Sequence, residues 1–415
     1  MGLYFYILFT RLYFFIIKAI SPVNGKARLF IKGRKKLFER IENELKRKKG
    51  ELVWFHCASL GEFEQGRPVM EAFKRTYPQF QIFLTFFSPS GYEIRKNYAQ
   101  ADFIFYLPED TANNAKKLLS LINPSLVIFI KYEYWHFHIR EINKLKIPLI
   151  LISAIFRSEQ LFFKSYGKFY RNMLKNFNHI FVQNQQSLEL LKKIGLLNVT
   201  AAGDTRFDRV KEITENVQPI PLVAQFSAGS KIMVAGSTWK EDLQVLAPLG
   251  QAFPEIKFII APHEISESSL AEVEQFFSGS FRYSKGMKKD CQVMIIDNIG
   301  MLSSLYQYGD YAYIGGAFGK GLHNILEAAT FGMPVLFGNK NYKKFAEALQ
   351  LMNAGAAFAV GTSHELAGYI NELDKNPSKK KEVGRISKKF VEENTGATDI
   401  IIQHCKGLLS HKNGR

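Results

Sequence analysis

From Gly50 onward the chain alternates short apolar runs with amphipathic stretches. Residues 52–59, 81–87, 103–107, 126–130, 148–154 and 179–184 are near-continuous apolar runs of strand length. That pattern predicts parallel strands buried on both faces by helices. Between them, 62–76, 90–100, 111–122, 134–146 and 185–194 carry helical spacing, and Pro124 after Asn123 ends one helix just before a strand. Residues 211–230 hold two prolines and little periodicity, which reads as a linker. The alternation then resumes with apolar runs at 232–237, 257–263, 293–297, 311–316, 334–338 and 356–360. No repeat joins the halves, yet each predicts a doubly wound, Rossmann-like α/β domain. The expected division is an N-terminal segment 1–49, a first domain 50–210, the linker 211–230 and a second domain 231–415.

The first 49 residues break this pattern. They open on the apolar, aromatic stretch GLYFYILFTRLYFFIIKAISP, interrupted by Arg11 and Lys18, and continue into a basic stretch with apolar residues at helical intervals. An apolar helix of ~20 residues suffices to cross a bilayer. Arg11 would then sit near the midplane, at roughly 2.5–3.5 kcal/mol. No small-residue cleavage site follows, which argues against a cleaved signal peptide.

Charge sharpens this picture. The chain has 55 Lys+Arg against 38 Asp+Glu, a net +17. Residues 1–49 hold 13 Lys/Arg and 3 Asp/Glu, so +10 of that excess is local. An apolar run beside clustered cations suits an anionic membrane surface, with the body on the cytoplasmic side by the positive-inside rule. The aromatics there form apolar runs rather than an RNA-binding motif, so nucleic acid is not the expected partner. With 47% apolar residues a large core is available, and three scattered cysteines exclude a disulfide framework.

Ligands of open α/β sheets bind beyond the carboxyl ends of the strands. After the first strand come Ser59, Gly61 and Glu62. A carboxylate at that helix start serves either as a general base or as a complement to the helix dipole, and position does not choose between them. In the second half Gly236-Ser237-Thr238 follows the first strand, where a turn suits a phosphate or simply caps a helix. Pro262 and His263 end the next strand, and His263 either meets a ligand or closes the loop. The densest cluster is 313–338: Gly315 and Gly316 end a strand, and His323 and Asn324 are expected to start a helix. Asn324 and Glu327 would share a face of it, a pattern that suits phosphate and ribose recognition. Two such domains facing across a cleft are the architecture of many sugar-nucleotide glycosyltransferases. No D-x-D motif stands at a strand end to hold a divalent ion.

Ser59-Leu60-Gly61-Glu62 resembles the S-x-G-E segment of the 3-deoxy-D-manno-octulosonic acid (Kdo) transferases. The likeness continues through FSPSGYE (87–93), YLPED (106–110), the YEYW run (132–135), AGDTRFD (202–208), AGST (235–238) and GLHNILEAA (321–329), and covers nearly the whole chain. The resemblance implies a GT-B fold, an inverting and metal-independent transfer from CMP-Kdo to a lipid A precursor, and Glu62 as catalytic base. Neither metal nor other cofactor is implied. The partners would be CMP-Kdo, the lipid acceptor and the cytoplasmic face of the inner membrane. The family's donor-site segments fall on Pro262-His263, Ile299-Gly300-Met301 and Asn324-Ile325-Leu326-Glu327. Two positions depart from its pattern. Pro-Arg-His reads Pro262-His263-Glu264, without the arginine, and Met-Gly-Glu reads Ile299-Gly300-Met301, without the carboxylate. A sugar-nucleotide 2-epimerase and a UDP-sugar-dependent lipid A glycosyltransferase are the rival readings on the same fold.

Overall fold

The computed structural model describes residues 2–410, so the outermost residues of the expected first and last segments, 1 and 411–415, lie outside the described part. The chain divides into two compact units, one of residues 1–208 with 395–415, the other of 209–394.

The N-terminal segment forms three helices, α1 (Gly2–Ile20), α2 (Gly25–Arg34) and α3 (Leu37–Leu45). Asn24 caps α2 through the Ala27 amide, and Lys36 in a left-handed conformation separates α2 from α3. Phe30, Leu37 and Ile41 are buried, so α2 and α3 belong to the first unit, whereas α1 buries no residue.

The first unit holds seven parallel strands: β1 (Leu52–Cys57), β2 (Gln81–Phe86), β3 (Phe103–Tyr106), β4 (Pro124–Ile130), β5 (Leu149–Ala154), β6 (His179–Val182) and β7 (Val199–Ala201). Their order is β3-β2-β1-β4-β5-β6-β7, so the winding reverses between β1 and β4. Strand alternation divides the core between the two faces. Leu52, Trp54, Val127 and Phe129 pack with Leu37 and Ile41 of α3 on one side. Val53, Phe55, Cys57, Leu126 and Ile128 pack on the other with Phe63, Val69 and Phe73 of α4 (Leu60–Thr76).

The second unit repeats the plan with β8 (Lys231–Thr238), β9 (Ile256–Pro262), β10 (Phe281–Arg282), β11 (Val293–Ile295), β12 (Tyr311–Ile314), β13 (Val335–Gly338) and β14 (Ala357–Val360). Its order is β10-β11-β9-β8-β12-β13-β14, and the reversal falls between β8 and β12.

The division corrects two expected boundaries. Residues 395–410 do not belong to the second domain. The helix Ala397–Ser410 packs in the first unit, where Ile401, Cys405 and Leu409 join the core that α4 faces. Asp208 holds its start by accepting from the Gly396 and Thr398 amides at 2.6 and 2.7 Å. The stretch 211–230 is not a bare linker. The helix Thr205–Glu215 runs into it, and the helix Pro221–Ser227 buries Val223 and Phe226. The short strands β7 and β10 and the helix Lys168–Leu174 escape the periodicity, because a strand of two or three residues leaves almost no pattern to read.

Candidate active site

In each sheet the winding reversal opens a crevice at the strands' carboxyl ends, the position where doubly wound folds bind ligands. In the first unit that position belongs to β1 and β4. β1 leads into Ser59, which sits extended at the N-cap of α4 but makes no backbone cap. Its hydroxyl donates instead to the Glu62 carboxylate, one turn on. Glu62 is half-buried. Gly61 is exposed, and a Cβ there would meet only Ser59 Oγ, at 3.8 Å, so the space over the helix start is open.

Beyond β4, Lys131 takes a positive φ of 72° and Tyr132 follows it. Burial pushes the Tyr132 phenol up; Arg157, hydrogen-bonded to it, pulls the other way, and the nearby Glu62 charge adds to the rise. Glu62, Tyr132 and Arg157 therefore share one electrostatic environment. Next to Tyr132 in the chain, Glu133 enters a buried polar network. Glu133 Oε2 stands 2.8 Å from His56 Nε2 and accepts from Trp135 Nε1 at 2.5 Å, while His56 Nδ1 meets Thr85 Oγ1 at 2.8 Å. These bonds tie the β4 end to β1 and β2.

In the second unit the sequence-expected residues gather at the ends of β9, β8 and β12, which are neighbours. Asp242 organises them. Fully buried, it accepts from the Trp239 amide at 2.9 Å, the Gly316 amide at 2.9 Å and the Tyr313 hydroxyl at 3.0 Å. Burial pushes its carboxyl up and the three donors hold it down. The Gly315 amide donates to Gly236 O at 2.9 Å. The amides of Gly315 and Gly316 are thus engaged within the protein. Both glycines, and Gly236, are also required by packing: a Cβ on Gly315 would come within 2.4 Å of Ser237 O, and one on Gly236 within 2.2 Å of the Tyr306 hydroxyl.

Gly236-Ser237-Thr238 is the end of β8 rather than a loop, with Ser237 bulged at φ 54°. Thr238 O accepts from the His263 amide at 3.0 Å, which seats His263 beside Trp239. There Trp239, His263 and His323 form a continuous stack with centroids 4.6 and 4.5 Å apart, and Trp239 Nε1 donates to His323 Nε2 at 3.3 Å. Lys320 Nζ lies 3.9 Å over the Trp239 ring. Burial holds both imidazoles down, His323 to about 4.

The expected helix at His323 begins later and is short, Leu326–Ala329. Asn324 lies before it and closes its start, accepting from the Leu326 amide at 3.2 Å and donating to Glu327 Oε1 at 3.0 Å. Ile325 and Leu326 are fully buried, so their side chains pack and only their backbone can face a ligand. Ile299 is 86% exposed, Gly300 turns at φ 96°, and Met301 Sδ takes a contact from Asn298 at 2.8 Å. Leu302, next in the chain, approaches Gly236 and links that loop to the β8 end.

Trp239, Asp242, Lys320 and Arg157 are not among the residues singled out in the sequence, and Tyr132 is there only as the first residue of the YEYW run. Proximity to a strand end was the available signal for Trp239, Tyr132 and Arg157. Lys320 lies mid-loop, and Asp242 is held by a local bond from the Trp239 amide and by long-range bonds from Tyr313 and Gly316.

Residues 34–209 match the family model described as 3-deoxy-D-manno-octulosonic-acid transferase (kdotransferase). The 3-deoxy-D-manno-octulosonic acid transferase of Aquifex aeolicus is 29% identical over 339 residues, 80% of this chain and 88% of that one. The Rickettsia bellii transferase of the same name is 26% identical over 367 residues, 85% and 87% of the two chains. Among solved structures, a putative UDP-N-acetylglucosamine 2-epimerase from Listeria monocytogenes superposes with a TM-score of 0.61 at 12% identity, over 88% of this chain and 98% of that one. The UDP-GlcNAc 2-epimerase from Neisseria meningitidis gives 0.57 at 16% identity, over 83% and 99%. At such identities these two show the fold alone. Sequence likeness over both units, carried on paired doubly wound sheets, makes the chain a glycosyltransferase that resembles the 3-deoxy-D-manno-octulosonic acid transferases.

Proposed function

We propose that the chain transfers Kdo from CMP-Kdo to a lipid A precursor, lipid IV-A, at the cytoplasmic face of the inner membrane, with inversion and without a metal. The carrying observation is Glu62, a half-buried carboxylate at the winding reversal of the first sheet, held by Ser59 under open space at Gly61. A sugar hydroxyl of the acceptor attacks the anomeric carbon of Kdo while Glu62 accepts its proton. The bond from that carbon to the phosphate oxygen breaks, and CMP leaves with the electron pair. Positive charge develops on the sugar ring, as in glycoside cleavage.

The second unit is the donor side of this reading. Backbone at Pro262-His263 and Ile299-Gly300-Met301 frames the nucleotide, and Asn324 with Glu327 addresses its ribose hydroxyls. The engaged amides of Gly315 and Gly316 shape this site rather than bind phosphate. Where the family has arginine, His263 stands in the Trp239–His323 stack beside Lys320, and this cationic, aromatic group meets the phosphate.

The test pairs two readouts. Glu62→Gln is expected to lower transfer from CMP-Kdo to lipid IV-A by roughly 100- to 10,000-fold, the range of a lost general base. Thermal stabilisation by CMP should be unchanged in the same variant, because Glu62 lies outside the donor unit. Near-wild-type turnover would remove Glu62 from the chemistry. Stabilisation by UDP with CMP inert would assign the site to a UDP-sugar enzyme.

A further inference from the structure

Two loops of the second unit carry cations without partners. The turn after β12, residues 315–323, and the loop after β13, residues 339–345, leave neighbouring strands and lie together. Asn341 laces them: its backbone amide donates to Ala317 O at 2.7 Å and its side chain to Gly319 O at 2.8 Å. Residues 316–345 hold four lysines, Lys320, Lys340, Lys343 and Lys344, against one acid, Glu327. All four are exposed, and among the described residues none forms an ion pair. Lys231, Lys240, Lys379 and Lys380 of the same unit, by contrast, each hold a carboxylate. So many unneutralised cations around one turn call for an anion.

The turn offers an anion little backbone. The amides of Gly315, Gly316, Gly319, Gly321 and His323 all donate within the protein. Recognition there falls to side chains, and two lysines are placed for it. Lys320 Nζ sits 3.9 Å over the Trp239 ring and acts on His263 electrostatically. Lys344 Nζ stands 3.0 Å from where a Cβ on Gly321 would be, with its Cε at 3.2 Å. Gly321 turns at φ 131°, and any side chain there would displace Lys344. Phe345 backs the same spot, its ring 5.3 Å from the Lys344 ammonium. Two cations from different loops thus attend Gly321, one its chain neighbour, the other packed against its bare Cα.

We propose that Lys344 recognises the carboxylate of the transferred sugar acid, and so selects an acidic sugar nucleotide over a neutral one. The inference rests on the second unit being the donor side for CMP-Kdo. That donor carries two anionic groups on its anomeric carbon: the phosphate, which leaves, and the carboxylate, which stays. The Trp239–His263–His323 stack with Lys320 meets the first. The second needs a cation of its own, and an ammonium facing a carboxylate gives a charge-assisted hydrogen bond. A neutral sugar would leave Lys344 unmatched. Lys340 and Lys343 add to the positive field of the same loop.

Equilibrium binding of CMP and of CMP-Kdo to the full chain is measured without acceptor, for wild type and for Lys344→Met. The variant should weaken CMP-Kdo by roughly 10- to 100-fold, the range of a lost hydrogen bond to a charged group, and leave CMP within about twofold. Lys344→Arg should recover most of that loss, and Lys344→Glu should deepen it. The side chain is exposed, so Lys344→Met without ligand should melt as wild type does. Two results overturn the proposal: unchanged CMP-Kdo affinity in Lys344→Met, or equal losses for CMP and CMP-Kdo, which would put Lys344 on the phosphate. Either leaves the donor reading intact. Wild type that binds UDP-N-acetylglucosamine while CMP and CMP-Kdo are inert would instead remove the donor reading, and the carboxylate assignment with it.

Discussion

Asp242 shows how one buried carboxylate sets the shape of the strand ends in the second unit. Its three donors come from the β8 end, from β12 and from the glycine turn after β12, so they span the winding reversal. Asp242→Ala would strand those donors at about 1–3 kcal/mol each where they stay dry. Denaturant unfolding should show a large loss in the second unit, and stabilisation by CMP should weaken with it. Asp242→Asn keeps one acceptor oxygen and should lose less. The place of Glu62 after a strand was legible in the sequence, whereas its hydrogen bond from Ser59 came from the structure. The role of Gly315 was not legible. In the sequence it simply ends a strand within the glycine-rich cluster, yet its close neighbours are Ser237 O and Asp242, residues far away in the chain. A glycine needed for close backbone packing and one needed for a ligand look the same along a chain, because both need only the missing Cβ.

At the scale of elements, long strands were legible because burial on both faces leaves runs of apolar residues. The helix Ala397–Ser410 illustrates the opposite case. Its apolar positions announce a buried face but not which unit buries it. In the fold it packs Ile401, Cys405 and Leu409 into the first unit's core. Ile401→Ala, a fully buried truncation, is expected to cost about 2–5 kcal/mol, read as a lower unfolding midpoint of the first unit with the second unit's transition unmoved. Element identity also explains α1. Hydropathy and length admit a spanning helix, but its bonds to Asp110 and its aromatic contacts with α2 and β2's end are tertiary facts.

Across the whole molecule, partly buried histidines held neutral couple stability to pH. In the first unit His404 of the C-terminal helix lies against His179, ring centroids 4.4 Å apart. Burial, then the neighbouring His404, holds His179 down to about 4, and burial lowers His404. In the second unit burial, then His263, holds His323 to about 4. Free imidazoles titrate near 6.5, so between these values the unfolded chain binds protons that the folded chain does not. Stability is therefore full above about 6.5 and falls as pH drops from 6.5 toward 4. Melting midpoints recorded across that window should decline, and His404→Phe should make the first unit's decline shallower. The net +17 has a different origin, since ten of those charges lie in residues 1–49.

By itself the sequence determined the class of fold, two doubly wound halves, through apolar runs whose length and spacing depend on local burial alone. It also determined where the cationic, apolar segment lies. Only the tertiary structure decided that the last helix returns to the first unit and that the glycine amides at 315 and 316 are engaged. The same holds for the Trp239–His263–His323 stack and for the fastening of α1 along its length. Each of these depends on contacts between residues far apart in the chain, and such contacts leave no periodic trace in the sequence.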